Sequence, residues 1–513
     1  MAICDPSEME PDEALRAMGL LVDVSFSLKR KEGLRYTIEH LTKLAARDLG
    51  AGQRMLNHYF LGNAWHCIRT LVRRGTDADW DWQYEELENE IAHFRLALRA
   101  AEETEVPVTR LCQAHTNLGS ALNSAGRFVE AIEHWNAALS LDAGFSMATA
   151  NKGHGLFAYA AVLYDEGHAA LLLRGAHQLL TEGLKGSLVP EAVPLYAELR
   201  SRIEAMVPEQ FLREGPDLEA WQVEASPEEK AYRGWCLTER LFLNPLNDVG
   251  PHAVAARDVL LTPSIVVPFG EGPYYQGFYN QMKQEYVSAR YLLYVGARMG
   301  GPHYSDGEVL LFNTLDYPSY ALSVEQQKLA LRSAYSILDK AAFFLNHYME
   351  LGLRPNQVSL RRLWYVRGDR RRGLRSEFQR RPNWPLRGLF WLSKDLFDDE
   401  TGSREATDPD ARCLADIRNR LEHKYLKVHE NDWPGPPDSE DGLARALSDT
   451  LAHSIRRNEL TRLALKMMRV ARAALIYLSL GVHMEEKARE AKRGSEKIAA
   501  PIFLELWEDD WKR

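Results

Sequence analysis

Asp416-Ile-Arg-Asn-Arg-Leu-Glu-His423, continued by Lys424-Tyr-Leu-Lys427, gathers an arginine, an amide and a histidine within six residues of a helical pattern. Leu414, Ile417, Leu421 and Tyr425 make the apolar stripe of that pattern. Asn419 and His423 are four apart and share a face, and the long Arg418 side chain reaches toward them. Together the three suit binding a phosphate and moving a proton. The bare pattern Arg-x4–6-His is common: it also occurs at Arg110/His115, Arg127/His134 and Arg298/His303. What sets Arg418/His423 apart is its setting between two amphipathic helical patterns. One begins at Ser323-Val-Glu-Gln-Gln, with Ser323 as cap, and runs to about residue 349; the other spans about 443–482. The motif helix itself is expected to start near Asp408-Pro-Asp-Ala, acidic as the helix dipole favours, and to stop before Trp433-Pro-Gly-Pro-Pro437.

The 513 residues allow roughly two to four domains with substantial cores. A hydrophobic share of 45% and a charged share of 26% are those of an ordinary globular protein. The net charge of -9 excludes a uniformly basic nucleic-acid binder, so local charge matters more than the total. Five scattered cysteines without a Cys-x-x-Cys pair point to neither a disulfide framework nor a metal site, which fits a reducing cytoplasm. The acidic N-terminus lacks a signal-peptide profile, and the apolar run 473–482 is too short to span a bilayer, so no membrane partner is expected.

A repeat organises the first half. Tyr59-Phe-Leu-Gly-Asn-Ala-Trp65 and Asn117-Leu-Gly-Ser-Ala-Leu122 share Leu-Gly, and Ile91, Phe94, Ala97, Leu98 match the spacing of Ile132, Trp135, Ala138, Leu139. This resembles the tetratricopeptide repeat. In the copy at 115–144, Leu118, Gly119, Leu122, Gly126, Ala131, Trp135 and Ala138 fall on that family's signature positions, while Ala143 stands where proline is usual. An insertion at 77–84 interrupts the earlier copy, a third unit is expected through 151–184, and a helix at 193–207 closes the array. The resemblance implies a surface that binds a protein or peptide partner; the plainer reading is that the array packs on the rest of the chain. Residues 1–207 are read as this array, 208–227 as a linker and 228–513 as a second domain with its bundle core at about 322–482. His58, His66, His93, His115 and His134 read as repeat histidines, not as metal ligands.

In the second half, 259–269 reads as extended, and Gly270-x-Gly272 as an ordinary turn. Tyr274, Tyr275, Phe278 and Tyr279 could stack bases or pack. Arg332, Asp339 and Asn346 recur every seven residues along the helix starting at Ser323 and form a polar seam, either solvated or facing a site. Residues 361–387 hold ten arginines interleaved with aromatics. Arg361, Arg362, Trp364, Arg370, Arg371, Arg372 and Arg375 are the candidates for RNA contact, because guanidiniums grip phosphates and rings stack on bases. A solvated loop or an acidic partner is the alternative.

Long helix, loop, helix bearing Arg-Asn-x-Leu-x-His, and final long helix resemble the HEPN superfamily of small helical-bundle ribonucleases, over about 235–482. Arg418 and His423 fall on its Arg-x4–6-His signature and Asn419 on the polar position that often follows the arginine. The resemblance implies an all-α fold: a repeat array followed by a HEPN-type bundle with extended loops. It also implies an endoribonuclease that needs no metal or other cofactor, works as a homodimer and leaves a 2′,3′-cyclic phosphate. Arg418, Asn419 and His423 would be catalytic, supported by Arg332, Asp339 and Asn346. The implied setting is prokaryotic antiviral defence or toxin-antitoxin growth arrest. Two other readings stay open: a non-catalytic repeat scaffold that dimerises or binds RNA, with Arg418 pairing Glu422 on a solvated helix face, and a toxin neutralised by modification, with Tyr425 as the residue to inspect.

Overall fold

A computed structural model describes residues 9–73, 75–76, 80–220, 225–396, 407–432, 449, 451–493 and 502–512. The Trp433–Pro437 stop and the start of the last helix near 443 lie outside them. The described chain is almost wholly helical, and no helix in it is long and apolar enough to cross a membrane.

Helical hairpins stack through the first half: α1 (Pro11–Ser27) with α2 (Lys31–Leu44), α3 (Ala51–Arg73) with α4 (Glu85–Ala101), α5 (Val108–Ser124) with α6 (Phe128–Leu141), α7 (Ser146–Ala160) with α8 (Glu166–Gly183), then α9 (Val193–Met206). The shared Leu-Gly has a physical cause. A Cβ on Gly62 would meet the Phe94 ring at 2.7 Å, and one on Gly119 would meet Trp135 at 2.6 Å, so each glycine seats the large ring of the paired helix. A histidine pair recurs with it. His58, four residues before Gly62, faces His93, beside Phe94; His115 and His134 hold the same places in the next hairpin. In both pairs the Nδ1 atoms are 3.1 Å apart. One nitrogen must donate and the other accept, so the two atoms share a single proton.

Three short helices follow, α10 (Glu209–Arg213), α11 (Pro227–Thr238) and α12 (Leu246–Val249). Ser226 caps α11 by accepting from the Glu229 amide at 3.2 Å. The second half is a bundle of α13 (Tyr274–Arg298), α14 (Leu322–Tyr348), α15 (Trp384–Leu392), α16 (Ala411–His423) and α17 (Arg457–Arg493). Segment 259–269 forms neither a helix nor a paired strand. The expected Ser323 cap is instead Asp306, from the preceding loop, whose carboxylate accepts from the Leu322 amide at 3.1 Å. A pair of strands that periodicity did not predict, β1 (Leu426–His429) and β2 (His453–Arg456), run parallel between α16 and α17.

Array and bundle share one continuous core, from Met55 to Val482. At its centre the α5–α6 turn meets α15 backbone to backbone: a Cβ on Gly126 would lie 2.3 Å from the Trp384 carbonyl oxygen. Trp384 stacks on Phe128 at 4.6 Å and donates to the Asn123 carbonyl at 3.1 Å. Trp82 enters a cluster of Trp364, Phe378 and Phe390. Asp395 ties both halves: it receives Arg95 of α4 at 2.5 Å and Arg127 of α6 at 2.7 Å.

Gly126→Ala is expected to lower the melting temperature and to destabilise the fold by more than the roughly 1–2 kcal/mol that a positive φ costs an L-residue, because φ is +87° and the added carbon strikes backbone. A melt unchanged from the parent protein would refute the close approach. A second outcome concerns pH. Burial pushes His93 down to about 3 and His115 to about 4. Unfolded histidines protonate near about 6.5, so the unfolded chain binds more protons as pH falls below that value. Stability should therefore decline from about pH 6.5 towards 4, by at most about 1.4 kcal/mol per pH unit for each group. Melts at about pH 7 and 5 should show the fall, and His93→Gln with His115→Gln should make it less steep, buried His134 still contributing.

Candidate functional site

The motif occupies the last turns of α16. Leu414 and Ile417 are buried and set the roll of the helix, Leu421 and Tyr425 are half-buried, and His423 is exposed. The helix is held at both ends by charge. At its start, Asp408 and Asp410 receive Lys466 of α17 at 2.7 and 2.8 Å, and Arg462 pairs with Asp410 at 2.9 Å. Burial would raise the Asp410 carboxyl; bonds from Arg462 and Lys466 outweigh it and hold the group below its ordinary range. Arg95 and Arg99 of the array approach the same two aspartates at 3.8 and 3.6 Å.

At the other end α14 supplies the neighbours. Arg418 lies over the Tyr335 ring at 5.1 Å, 3.8 Å from the Asp339 carboxylate, and donates to the Asn419 side-chain oxygen at 3.3 Å. Burial raises the Asp339 carboxyl, partly offset by Arg418. Arg332 pairs with Glu422 at 2.7 Å, so Glu422 does not serve Arg418, as the solvated-face reading required. Two of the three seam positions thus face the motif. Asn346 does not: its amide donates to the Leu353 carbonyl and accepts from the Leu353 amide, both at 3.0 Å, closing the turn after α14. Its expected support of the site is corrected accordingly.

The other Arg/His pairs of this spacing are occupied otherwise. Arg127 is buried against Glu130 and Asp395, and His134 against His115. Arg110 stacks on Tyr59, and Arg298 on Tyr294. The arginine-rich segment is also largely turned inward. Trp364 is fully buried among rings, so it cannot receive a base. Arg370 pairs with Glu88 of the array at 3.1 Å; Arg375 donates to the Tyr365 and Leu351 carbonyls. Arg361 donates to the Leu396 carbonyl, and Arg362 is half-buried. Only Arg371 and Arg372 of the seven candidates are exposed, Arg372 within 3.5 Å of Asp369. Tyr275 and Tyr279 pack in the core. The cationic face of α17 is spent the same way, Arg469 on Glu239 and Arg472 on buried Asp248.

What sequence reasoning missed lies just past His423. Lys427 is buried between Asp316 at 2.6 Å and Asp449 at 2.9 Å. Tyr425 meets Tyr320, their hydroxyls 3.5 Å apart. The alternation Tyr425-Leu-Lys-Val-His429 was the available signal for a strand here. Among the described residues no group of three or more His, Cys, Asp or Glu side chains is placed to ligate a metal.

Residues 267–485 match the family model described as LA2681-like HEPN, a span that contains α13 to α16, most of α17, and the motif. No curated protein and no solved structure matches the chain.

The different duties of the seam residues are separable by stability. Asn346→Ala strands two Leu353 backbone groups and should cost about 1–3 kcal/mol. Arg332→Ala removes a largely exposed pair and should cost less than about 1 kcal/mol. Chemical denaturation of both variants checks the order; equal losses would contradict it.

Proposed function

Residues 267–485 form a HEPN-type domain, and from that premise we propose that the protein is a metal-independent endoribonuclease whose Arg418, Asn419 and His423 act at the exposed end of α16. The observation that carries this reading is the state of Arg418. It is oriented by a ring, a carboxylate and an amide, yet remains partly exposed beside an exposed histidine.

The chemistry follows from the groups present. His423 takes the proton from a ribose 2′-hydroxyl. The 2′-oxygen then bonds to phosphorus, and the bond from phosphorus to the 5′-oxygen breaks. Arg418 stabilises the charge that builds on the phosphoryl oxygens, and Asn419 holds Arg418 in place. The products are a 2′,3′-cyclic phosphate and a 5′-hydroxyl end. The leaving oxygen needs a proton, which the histidine of a second copy supplies in a homodimeric site. The helical-hairpin array is the regulatory part in this reading, its outer surface open to a protein or peptide partner.

RNA incubated with the protein in EDTA should be cut. His423→Ala and Arg418→Ala should each lower the rate about hundredfold or more, the lower end of what one acid–base group supplies, while melting as the parent does. Cleavage at the parent rate by both folded variants would remove the site assignment. RNA binding without turnover, with the array's partner present, would favour a binding scaffold instead.

A further inference from the structure

The segment between α13 and α14 has a property that its packing does not explain. Tyr317 and Tyr320 leave 73% and 48% of their surface in water. Leu315 and Tyr317 also hold left-handed backbone, at φ +67° and +50°. That conformation costs an L-residue roughly 1–2 kcal/mol. A strained backbone that ends in an exposed ring stabilises nothing by itself, and such outliers gather where a ligand is bound.

The segment is nonetheless fixed, and fixed to the site. Asp316 is held by buried Lys427 at 2.6 Å and by Thr314 at 2.6 Å. The Ser319 amide donates to the Val428 carbonyl at 2.7 Å, and its hydroxyl to Glu430 at 2.7 Å. Tyr317 lies between these two anchors, and the Tyr320 hydroxyl meets that of Tyr425 at 3.5 Å. Apart from Thr314, every anchor is on the stretch that leaves His423, and Tyr425 is two residues, at most about 7 Å of chain, beyond it.

We propose that Tyr317, Tyr320 and Tyr425 form a base-stacking platform for single-stranded RNA, seating the nucleotides next to the bond that Arg418 and His423 would cleave. The proposal rests on the ribonuclease reading for its substrate. Charge favours RNA over a protein. Arg418, Arg420 and Lys424 stand on the stretch that leads into Tyr425, and Arg332 pairs with Glu422 of the same stretch; a strand with planar bases and a polyanionic backbone uses rings and cations together. The nearby carboxylates Asp316 and Glu422 are already paired with Lys427 and Arg332; Glu430 and Asp416 face solvent. Val309, Leu310, Leu311 and Phe312 of the same loop are also exposed, and a protein partner there is the competing outcome.

The test uses the full chain and a fluorescein-labelled RNA of about twelve nucleotides, 2′-O-methylated throughout so that it cannot be cut. Fluorescence anisotropy should show about tenfold weaker binding for Tyr317→Ala and for Tyr320→Ala, the scale of one lost base stack. Tyr317→Trp and Tyr320→Trp should restore it, and a duplex of the same sequence should not distinguish the variants. Light scattering on the same samples reads the oligomeric state. Unchanged affinity in both alanine variants, absence of binding by the parent, or a loss that follows a change of mass and is not rescued by Trp would overturn the platform. The two readings fail separately. Tyrosine-dependent binding without cleavage of unmodified RNA leaves the platform standing and removes the nuclease; parent-level cleavage and binding in the alanine variants does the reverse.

Discussion

Asp395 carries more of this architecture than any other side chain described. Its carboxylate receives Arg95 through two nitrogens, Arg127 through one, and the Thr407 hydroxyl at 2.7 Å. Burial would raise its pKa; Arg127 and Arg95 outweigh that and hold it well below the usual carboxylate range. Two of its partners come from different hairpins of the array. The third stands at the approach to the motif helix, where Thr407 also returns its amide to the Lys394 carbonyl. Repeat spacing, bundle geometry and the start of the motif helix therefore meet at one charge.

A buried ion cluster is an expensive way to join two bodies. Apolar residues of the same volume would often be as stable, whereas removing one member of such a set costs about 3–5 kcal/mol. What the cluster supplies is uniqueness: a guanidinium with two directed bonds tolerates one register of α4 and α6 against the bundle, where an oily face tolerates several. The aromatic contacts around it, Phe128 on Trp384 and Trp82 on Phe378, then contribute burial on a geometry already set. The pairs of Glu88 with Arg370 and with Lys394 extend the same device along α4.

This is also where sequence reading reaches its limit. The hairpins and the motif helix were legible because their signals are local: a glycine and the ring it seats, an apolar stripe every three or four residues. Ion pairs across 268 to 306 residues leave no local trace. Arg370 and its neighbours looked like an RNA surface because a charge run on paper carries no partner; Glu88 lies in a helix read for its apolar face alone. Trp364 seemed a stacking ring for the same reason, since only the fold brings Trp82 to it. Lys394 and Asp395 were the overlooked hint, two opposite charges inside the otherwise apolar run 389–397. Asp306 as the cap of α14 is a further case, sixteen residues from the amide it serves.

The arginines of the chain can be sorted by how many of their five donors are committed. Arg472 gives two bonds to Asp248 and two to the Phe242 and Asn244 carbonyls; Arg290 gives two to Asp258 and others to Tyr232 and the Leu241 carbonyl. Each makes four hydrogen bonds in the core, and no anion could displace these partners without dismantling it. Arg418 is different in kind. Its contacts fix direction but use few donors: a ring beneath it, a carboxylate at 3.8 Å, beyond hydrogen-bond range, and one bond to Asn419. Orientation without saturation is what a group needs if it is to meet a phosphate whose charge grows during reaction, since preorganised donors then act without a further reorganisation cost. The same contrast separates Arg418 from the buried Arg127, which also fits the pattern Arg-x4–6-His but has bonded its guanidinium to Glu130 and Asp395. The motif is selected by what the fold leaves uncommitted.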